Sequence, residues 1–402
     1  MRIPILAALA LVAMACGPAA EGKKEVEKPR AKKQDRAAAA NRALKQAIRA
    51  EERDEPNKAE RQYARAYKLR PSHHETVKRY VAFLIARNQR PKAIELANEY
   101  LNGAPDETKR YHILADVQIA DRDWLSAHET LTQLLDLDAE DGQAWSKRGT
   151  VQSERDSHDE AIADMQKALS LEAENPDFRA AYGEVLLNAG QMDKAAIELR
   201  GAIQIDPEHG EAHTVLGEVL RKQKEFDDAL ATLQQAVKFA PGSARAYFQL
   251  GLTQNRVGDN LGAELSMKQA TELEPGNSKY WYAYGEVLRA LKRYSDAGPF
   301  YRKALEIEPD HSKAANKLGV VLFLAGDYAE AEAVLTERVR KFPEDVDPYY
   351  NLGVVYAQLE KYKLALEALE RYLQIAPKTD RNVADARQQV RVLKRKVRSQ
   401  RR

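Results

Sequence analysis

An interval of 34 residues governs the chain from residue 40 onward. Prolines stand at positions 207, 241, 275, 309, 343 and 377, and stepping back by the same interval lands on Ala173, Ala139, Pro105 and Pro71. Twelve residues before each of these points the chain carries alanine: Ala59, Ala93, Ala127, Ala161, Ala195, Ala229, Ala263, Ala297, Ala331 and Ala365. Twenty-four residues before them stand Ala47, Val81, Ala115, Gly149, Gly183, Gly217, Gly251, Gly285, Gly319 and Gly353. A period of this length marks small supersecondary units that bury their apolar faces only by stacking on one another. The pattern predicts two antiparallel helices per period. Gly or Ala on the first and Ala on the second remove bulk where the backbones cross, and larger groups such as Leu216, Leu220, Phe226, Leu230 and Leu233 fill the interface at helical spacing. The lattice proline then closes the unit, because it has no N–H to continue a helix and holds its predecessor extended.

Trp281-Tyr282-Ala283-Tyr284-Gly285 with Tyr294, Ala297, Tyr301, Ala304 and Pro309, and Tyr349 to Gly353 with Tyr356, Tyr362, Ala365, Leu369 and Pro377, occupy signature positions of the tetratricopeptide repeat, which this sequence resembles. The resemblance covers ten contiguous units over residues 40–379 with no insertion. It implies an all-α fold, a right-handed superhelical solenoid of helical hairpins. Val81 in place of a small residue and Tyr100 in place of a later Ala make the first units the least regular. Residues 380–398 read as a capping helix, with Val383, Ala386, Val390, Leu393 and Val397 spaced to cover the last unit, and 399–402 as a basic disordered end. Pro299 falls inside the second helix of the eighth unit, about four residues past an expected N-cap at Ser295, where a mild kink is the expected consequence. Pro348 after Asp347 marks a helix start.

The ten units leave only a short leader, a tether and a tail, and so no room for a catalytic domain. No phosphate-cradling Gly-rich loop, dinucleotide fingerprint, HExxH or serine nucleophile elbow occurs, so no enzymatic activity and no cofactor is expected. The single cysteine excludes an intrachain disulfide and a thiolate metal cage. His209 and His213, four apart, and the pair His73-His74 lack clustered carboxylates and read as structural histidines, so no metal site is expected. With 63 Lys and Arg against 61 Asp and Glu there is no chain-wide basic excess, and nucleic acid is not an expected partner.

In the implied superhelix the first helices line the concave face. The second residue of units seven to ten then gives the column Arg245, Lys279, Lys313 and Asp347, and the fifth gives Phe248, Tyr282, Asn316 and Tyr350, with Arg256, Arg289, Lys317 and Asn351 nearby. Cations beside aromatics and amides suit an extended peptide or helix of a partner protein. Units five and six present Asp177, Glu184, Glu211 and Glu218 instead, so the groove is expected to be acidic in the middle and basic toward its C-terminal end. The tail carries Arg391, Lys394, Arg395, Lys396, Arg398, Arg401 and Arg402 without an acid, a run that binds polyanions such as anionic lipid or polysaccharide.

Residues 1–15 have a basic start at Arg2 and an apolar run about half as long as the roughly 20 residues that span a bilayer, which favours a signal peptide. Val12-Ala13-Met14-Ala15-Cys16 resembles a bacterial lipobox, with Ala13 where Leu is commonest, and that resemblance implies lipidation at Cys16. Residues 16–39, rich in Lys, Arg, Glu and Pro, then read as a flexible charged tether. The expectation is a bacterial outer-membrane lipoprotein facing the periplasm, a scaffold that binds envelope proteins during assembly of a pilus or secretin, a polysaccharide exporter or a barrel machine. The alternative is a peptidoglycan- or polyanion-associated structural protein that uses the basic tail.

Overall fold

A computed structural model describes residues 29–105 and 107–400, and the chain divides into two compact units, Met1–Asp121 and Arg122–Arg402. The expected signal peptide, Cys16, most of the expected tether, and Arg401 and Arg402 lie outside the described residues. The first unit holds α1 (Pro29–Glu52), α2 (Pro56–Leu69), α3 (His74–Ala86), α4 (Arg90–Asn102) and α5 (Thr108–Ala120). The second opens with α6 (Trp124–Leu137), α7 (Gly142–Glu154), α8 (His158–Leu171), α9 (Pro176–Asn188), α10 (Met192–Ile205), α11 (Gly210–Gln223), α12 (Phe226–Phe239), α13 (Ala244–Val257) and α14 (Asn260–Leu273). It continues with α15 (Ser278–Ala290), α16 (Tyr294–Ile307), α17 (Ser312–Ala325), α18 (Tyr328–Lys341), α19 (Asp347–Gln358), α20 (Tyr362–Ile375) and α21 (Val383–Gln400). Among the described residues there is no strand. The fold is all-α, a solenoid of hairpins in which α7/α8 through α19/α20 stack in chain order and α21 packs on α20.

The 34-residue register holds throughout. Left-handed backbone occurs at Asp54, Asn88, Arg122, Asp156, Gly190, Lys224, Gly258, Lys292, Gly326 and Glu360, one residue per period at the same lattice position, in the turn between first and second helix. Only three of these are glycine, so the turn is set by the packing of the two helices and most periods carry the steric cost of a Cβ there.

The close crossing is also present, and the large residues facing each glycine include Leu233, Tyr301 and Leu369, which the sequence singled out without pairing them to the glycines. A Cβ on Gly319 would lie 2.5 Å from Leu335, on Gly353 2.6 Å from Leu369, on Gly285 2.8 Å from Tyr301, and on Gly251 2.9 Å from Met267. The space left by each glycine is thus filled by the residue four beyond the lattice alanine. Met165, Leu199, Leu233, Met267, Tyr301, Leu335 and Leu369 all stand at that position, and all are fully buried. In the second repeat the sizes exchange: Val81 replaces the glycine and Ala97 the large partner, and both are buried.

A second tie links consecutive repeats. At five lattice points the residue six further on, in the first turn of the first helix, donates to the carbonyl at that point. Trp145 reaches Ala139 at 2.9 Å, His213 Pro207 at 3.0 Å, Trp281 Pro275 at 2.8 Å, Arg179 Ala173 at 3.3 Å and Tyr349 Pro343 at 3.2 Å. These bonds satisfy turn carbonyls that lie past the helix end and have no partner within it.

Three local expectations are corrected. Helix α1 begins at Pro29, so residues 29–39 of the expected tether are helical; the Ala-rich stretch Ala37–Ala40 has high helix propensity and propagates from the packed half of α1, where Ala40, Ala43, Leu44 and Ala47 are buried. At the other end α21 runs to Gln400, so Ser399 and Gln400 are helical too. Helix α16 is capped at Arg293 instead of Ser295, which puts Pro299 in its second turn. Pro299 is exposed, so the missing amide falls on the solvent side of a continuous helix.

Candidate first-helix docking face

The concentration of the predicted groove residues is greatest on α15, α17 and α19. Two clefts lie there. One, of about 370 Å³, is lined by Tyr282, Ser312, Lys313, Asn316, Lys317, the turn residues Asp345 and Val346, and Asp347 and Pro348 at the start of α19. The other, of about 290 Å³, is lined by Arg289, Asn316, Lys317, Val320, Asp347, Tyr350, Asn351, Arg381 and Asn382. They share Asn316, Lys317 and Asp347 and form one continuous surface. Seven of the eleven predicted residues line it: Tyr282, Arg289, Lys313, Asn316, Lys317, Tyr350 and Asn351.

The aromatic walls are fixed by packing. Tyr282 lies 5.8 Å from the ring of buried Tyr301 and 5.0 Å from His311, which caps α17 by accepting from the Ala314 amide. Tyr350 lies 5.4 Å from Tyr372 and donates to Asp385 of α21 at 2.7 Å. Burial pushes the phenol of each up to about 12, with the nearby Glu286 carboxylate adding to it for Tyr282 and the bond to Asp385 for Tyr350. Asn351 donates to Asn316 at 2.5 Å, which orients the two amides across α17 and α19.

The charges divide into committed and free. Burial pushes Glu286 up, but hydrogen bonds from Arg289 at 2.9 Å and from Tyr301 at 2.5 Å, with the charge of Lys317 at 3.8 Å, hold it below the usual carboxylate range. Arg289 and Lys317 thus share one internal carboxylate. Lys313 and Arg381 are exposed and have no hydrogen-bond or ion-pair partner among the described residues. Asp347 is likewise exposed and unpartnered among the described residues, between them. The surface therefore presents cation, carboxylate and cation in sequence, next to a pair of oriented amides and two rigid phenol rings. Arg381 and Asn382 had not been anticipated; they follow the last repeat and fall outside the columns that the lattice defines.

The remaining predicted residues do other work. Arg245, expected to head a basic column, is bound to Glu184 at 2.5 Å, Glu211 at 3.1 Å and Glu218 at 3.0 Å. Burial alone would lower its pKa, but the three carboxylates raise it, while burial raises that of Glu211. The expected boundary between an acidic and a basic groove is therefore bridged by an arginine reaching back two repeats, since a fork of donors satisfies carboxylates on successive first helices. Phe248 packs on Tyr280, ring centres 4.7 Å apart, and Arg256 sits over the Phe226 ring at 5.7 Å. Lys279 is exposed but outside both clefts. His209 and His213 do not converge: His209 caps α11 through the Ala212 amide and meets Asp177 at 3.0 Å, and His213 turns to Pro207. On α21, Lys394 pairs with Glu370 at 2.9 Å and Lys396 lies over the Tyr362 ring at 4.5 Å, while Arg391, Arg395 and Arg398 are exposed without partners among the described residues.

Comparison with known proteins decides the family. Models of the tetratricopeptide repeat match residues 114–177, 244–277, 278–344 and 318–395, and a TPR repeat model matches 217–258. The chain is a tetratricopeptide repeat protein. A model of anaphase-promoting complex, cyclosome, subunit 3 matches residues 154–236 of the repeat array. No curated protein matches. Among solved structures, the repeat array is similar to the APC/C hetero-tetramer Cut9–Hcn1, with 15% identity over 89% of this chain and 76% of that one, and a TM-score of 0.55, a likeness of fold alone. YrrB, a TPR protein with an unusual peptide-binding site, matches 45% of this chain and 93% of its own at 25% identity and a TM-score of 0.41. MamA from Desulfovibrio magneticus RS-1, residue 41 to its end, matches 42% of this chain and 96% of its own at 25% identity and a TM-score of 0.37. The fold is thus that of a repeat scaffold for protein–protein interaction.

Proposed function

We propose that the surface on α15, α17 and α19 docks an extended segment of a partner protein, and that the scaffold does so as a lipoprotein held on the cell envelope through Cys16. The observation that carries the docking assignment is the pair of exposed cations Lys313 and Arg381, unpartnered among the described residues, on either side of Asp347. That order fits a segment with two acidic groups flanking a donor, seated along the Asn316–Asn351 amides between Tyr282 and Tyr350. Lys313→Glu with Arg381→Glu is expected to weaken partner capture from solubilised membranes at least tenfold with the helical circular dichroism unchanged. Unchanged capture would refute the assignment.

The envelope address rests on the lipobox-like segment at Val12–Cys16 and the apolar run before it. More than one acyl chain holds a protein on a bilayer stably without a spanning helix, and among the described residues no helix is long and apolar enough to cross a membrane. A role in assembling an envelope complex follows from scaffold and address together. Cys16→Ser should move the protein to the soluble fraction; full membrane retention would overturn the lipid anchor.

A further inference from the structure

Helix α21 is amphipathic in an uncommon sense. Val383, Ala386, Val390 and Leu393 are buried, fixing the helix. An exposed face beside it carries Arg387, Arg391, Arg395 and Arg398, at spacings of four, four and three residues that place them on one stripe about 16 Å long. All four are exposed and none has a hydrogen-bond or ion-pair partner among the described residues. The two lysines of the same helix, Lys394 and Lys396, are taken up internally as described above. The stripe is rigid, cationic and uncommitted.

The same unit carries its opposite. Residues 122–209 hold nineteen Asp and Glu against eight Lys and Arg. Six of these acids recur in three successive loops between repeats. Asp138, Glu172 and Asp206 occupy one lattice position, and Glu140, Glu174 and Glu208 the position two residues on, so stacking of the repeats sets six carboxylates in two parallel rows. Lys167 lies 3.6 Å from Glu140, Asp138 and Asp206 accept the backbone N–H of Glu140 and Glu208, and Glu172 accepts from Asn175 at 2.8 Å; the charge of five of the six remains without a cationic partner among the described residues. Stripe and rows cannot meet within one molecule: α21 packs on α20, and the five hairpins α11/α12 to α19/α20 separate it in stacking order from these loops.

We propose that the arginine face of α21 docks on the acidic inter-repeat loops of a second copy of this chain. Arginine forks pair with carboxylates through two parallel hydrogen bonds, and charge complementarity of this kind fixes partner and register. The two patches differ, so the contact is head to tail and a pair keeps one free patch at each end, which builds open-ended oligomers instead of a closed dimer. Exposed charge pairs are screened within about 10 Å at 0.1 M salt, so the association is strong at low ionic strength and lost at high.

Sedimentation velocity of the full chain carrying Cys16→Ser, so that acyl chains do not drive association, tests this directly. At low salt the mass is expected to rise with concentration above that of the 45.2 kDa chain, and to return to it at about 0.5 M salt, where the screening length is shorter still. Arg387→Glu, Arg391→Glu, Arg395→Glu and Arg398→Glu together should abolish the rise. So should Glu140→Lys, Glu172→Lys, Glu174→Lys and Glu208→Lys. Mixing these two charge-reversed proteins should restore association, a result that misfolding of either cannot produce. A monomer at every salt concentration, or association unaltered by reversing the stripe, would overturn the proposal. Stripe-dependent pelleting with phosphatidylglycerol vesicles, with no self-association, would assign the stripe to lipid and overturn it equally.

Discussion

Exchanging sizes at the helix crossing tests the packing rule of the repeat. Adding a Cβ at Gly319 brings an atom to 2.5 Å from Leu335, inside any tolerable contact, and Leu335 is fully buried and cannot swing away. Gly319→Val should therefore cost about 1–3 kcal/mol through overpacking, beyond the small gain in helix propensity over glycine. Leu335→Ala alone should cost about 2–5 kcal/mol through the cavity it opens. The two together recreate the arrangement of the second repeat, where Val81 stands in the glycine position and Ala97 in that of the large partner. The double variant should then be less destabilised than the sum of the single ones by about 1–3 kcal/mol, the coupling expected for residues that share one volume. Urea unfolding followed by circular dichroism, with slopes compared to confirm that the transition keeps its cooperativity, measures all three. Additivity within about 0.5 kcal/mol would show that the two positions do not compete for the same space, and the account of the crossing would fail.

Two further outcomes follow from the same geometry. Gly190 has φ of +74° with nothing within 4 Å of its missing Cβ, so Gly190→Ala should lose about 1–2 kcal/mol from backbone strain alone. Lys292→Gly, at the same turn position three periods on, should gain about 1 kcal/mol; the two changes having the same sign in thermal unfolding would contradict the turn assignment. Tyr282 and Tyr350, each raised to about 12, keep their protons in the folded chain after the unfolded chain loses them near pH 10. Their contribution to stability is thus complete below about pH 10 and is lost as the pH climbs through about 12. Absorbance titration of the phenolates should show the native midpoint above that in urea, and coincident curves would refute the burial of these rings.

The helical hairpins were legible because their constraint repeats: an alanine at one lattice position and a proline or alanine at the end survive in every period. The left-handed turn residues were not, since seven of ten carry side chains and only the packing of the two helices forces their conformation. Leu233, Tyr301 and Leu369 were visible one by one, but their pairing with the glycines was not, because Leu, Met, Tyr and Ala at one position share no pattern until their glycine partners are in view. At the docking face, Lys313, Asn316, Tyr282 and Tyr350 could be placed from the column rule alone. The fate of Arg245 could not: its partners Glu184, Glu211 and Glu218 are distant in sequence, and the length of an arginine side chain spans repeats that a column treats as separate. Arg381 lies past the last repeat, where periodicity no longer predicts position.

Site-specific photo-crosslinking tests the docking face most directly. A crosslinking residue at Asn316, between the two clefts, should trap a partner segment on isolated membranes, while the same residue at Ala163, exposed on α8 away from both clefts, should trap none. Equal adducts from both positions, or an adduct from Ala163 alone, would contradict docking on the first helices.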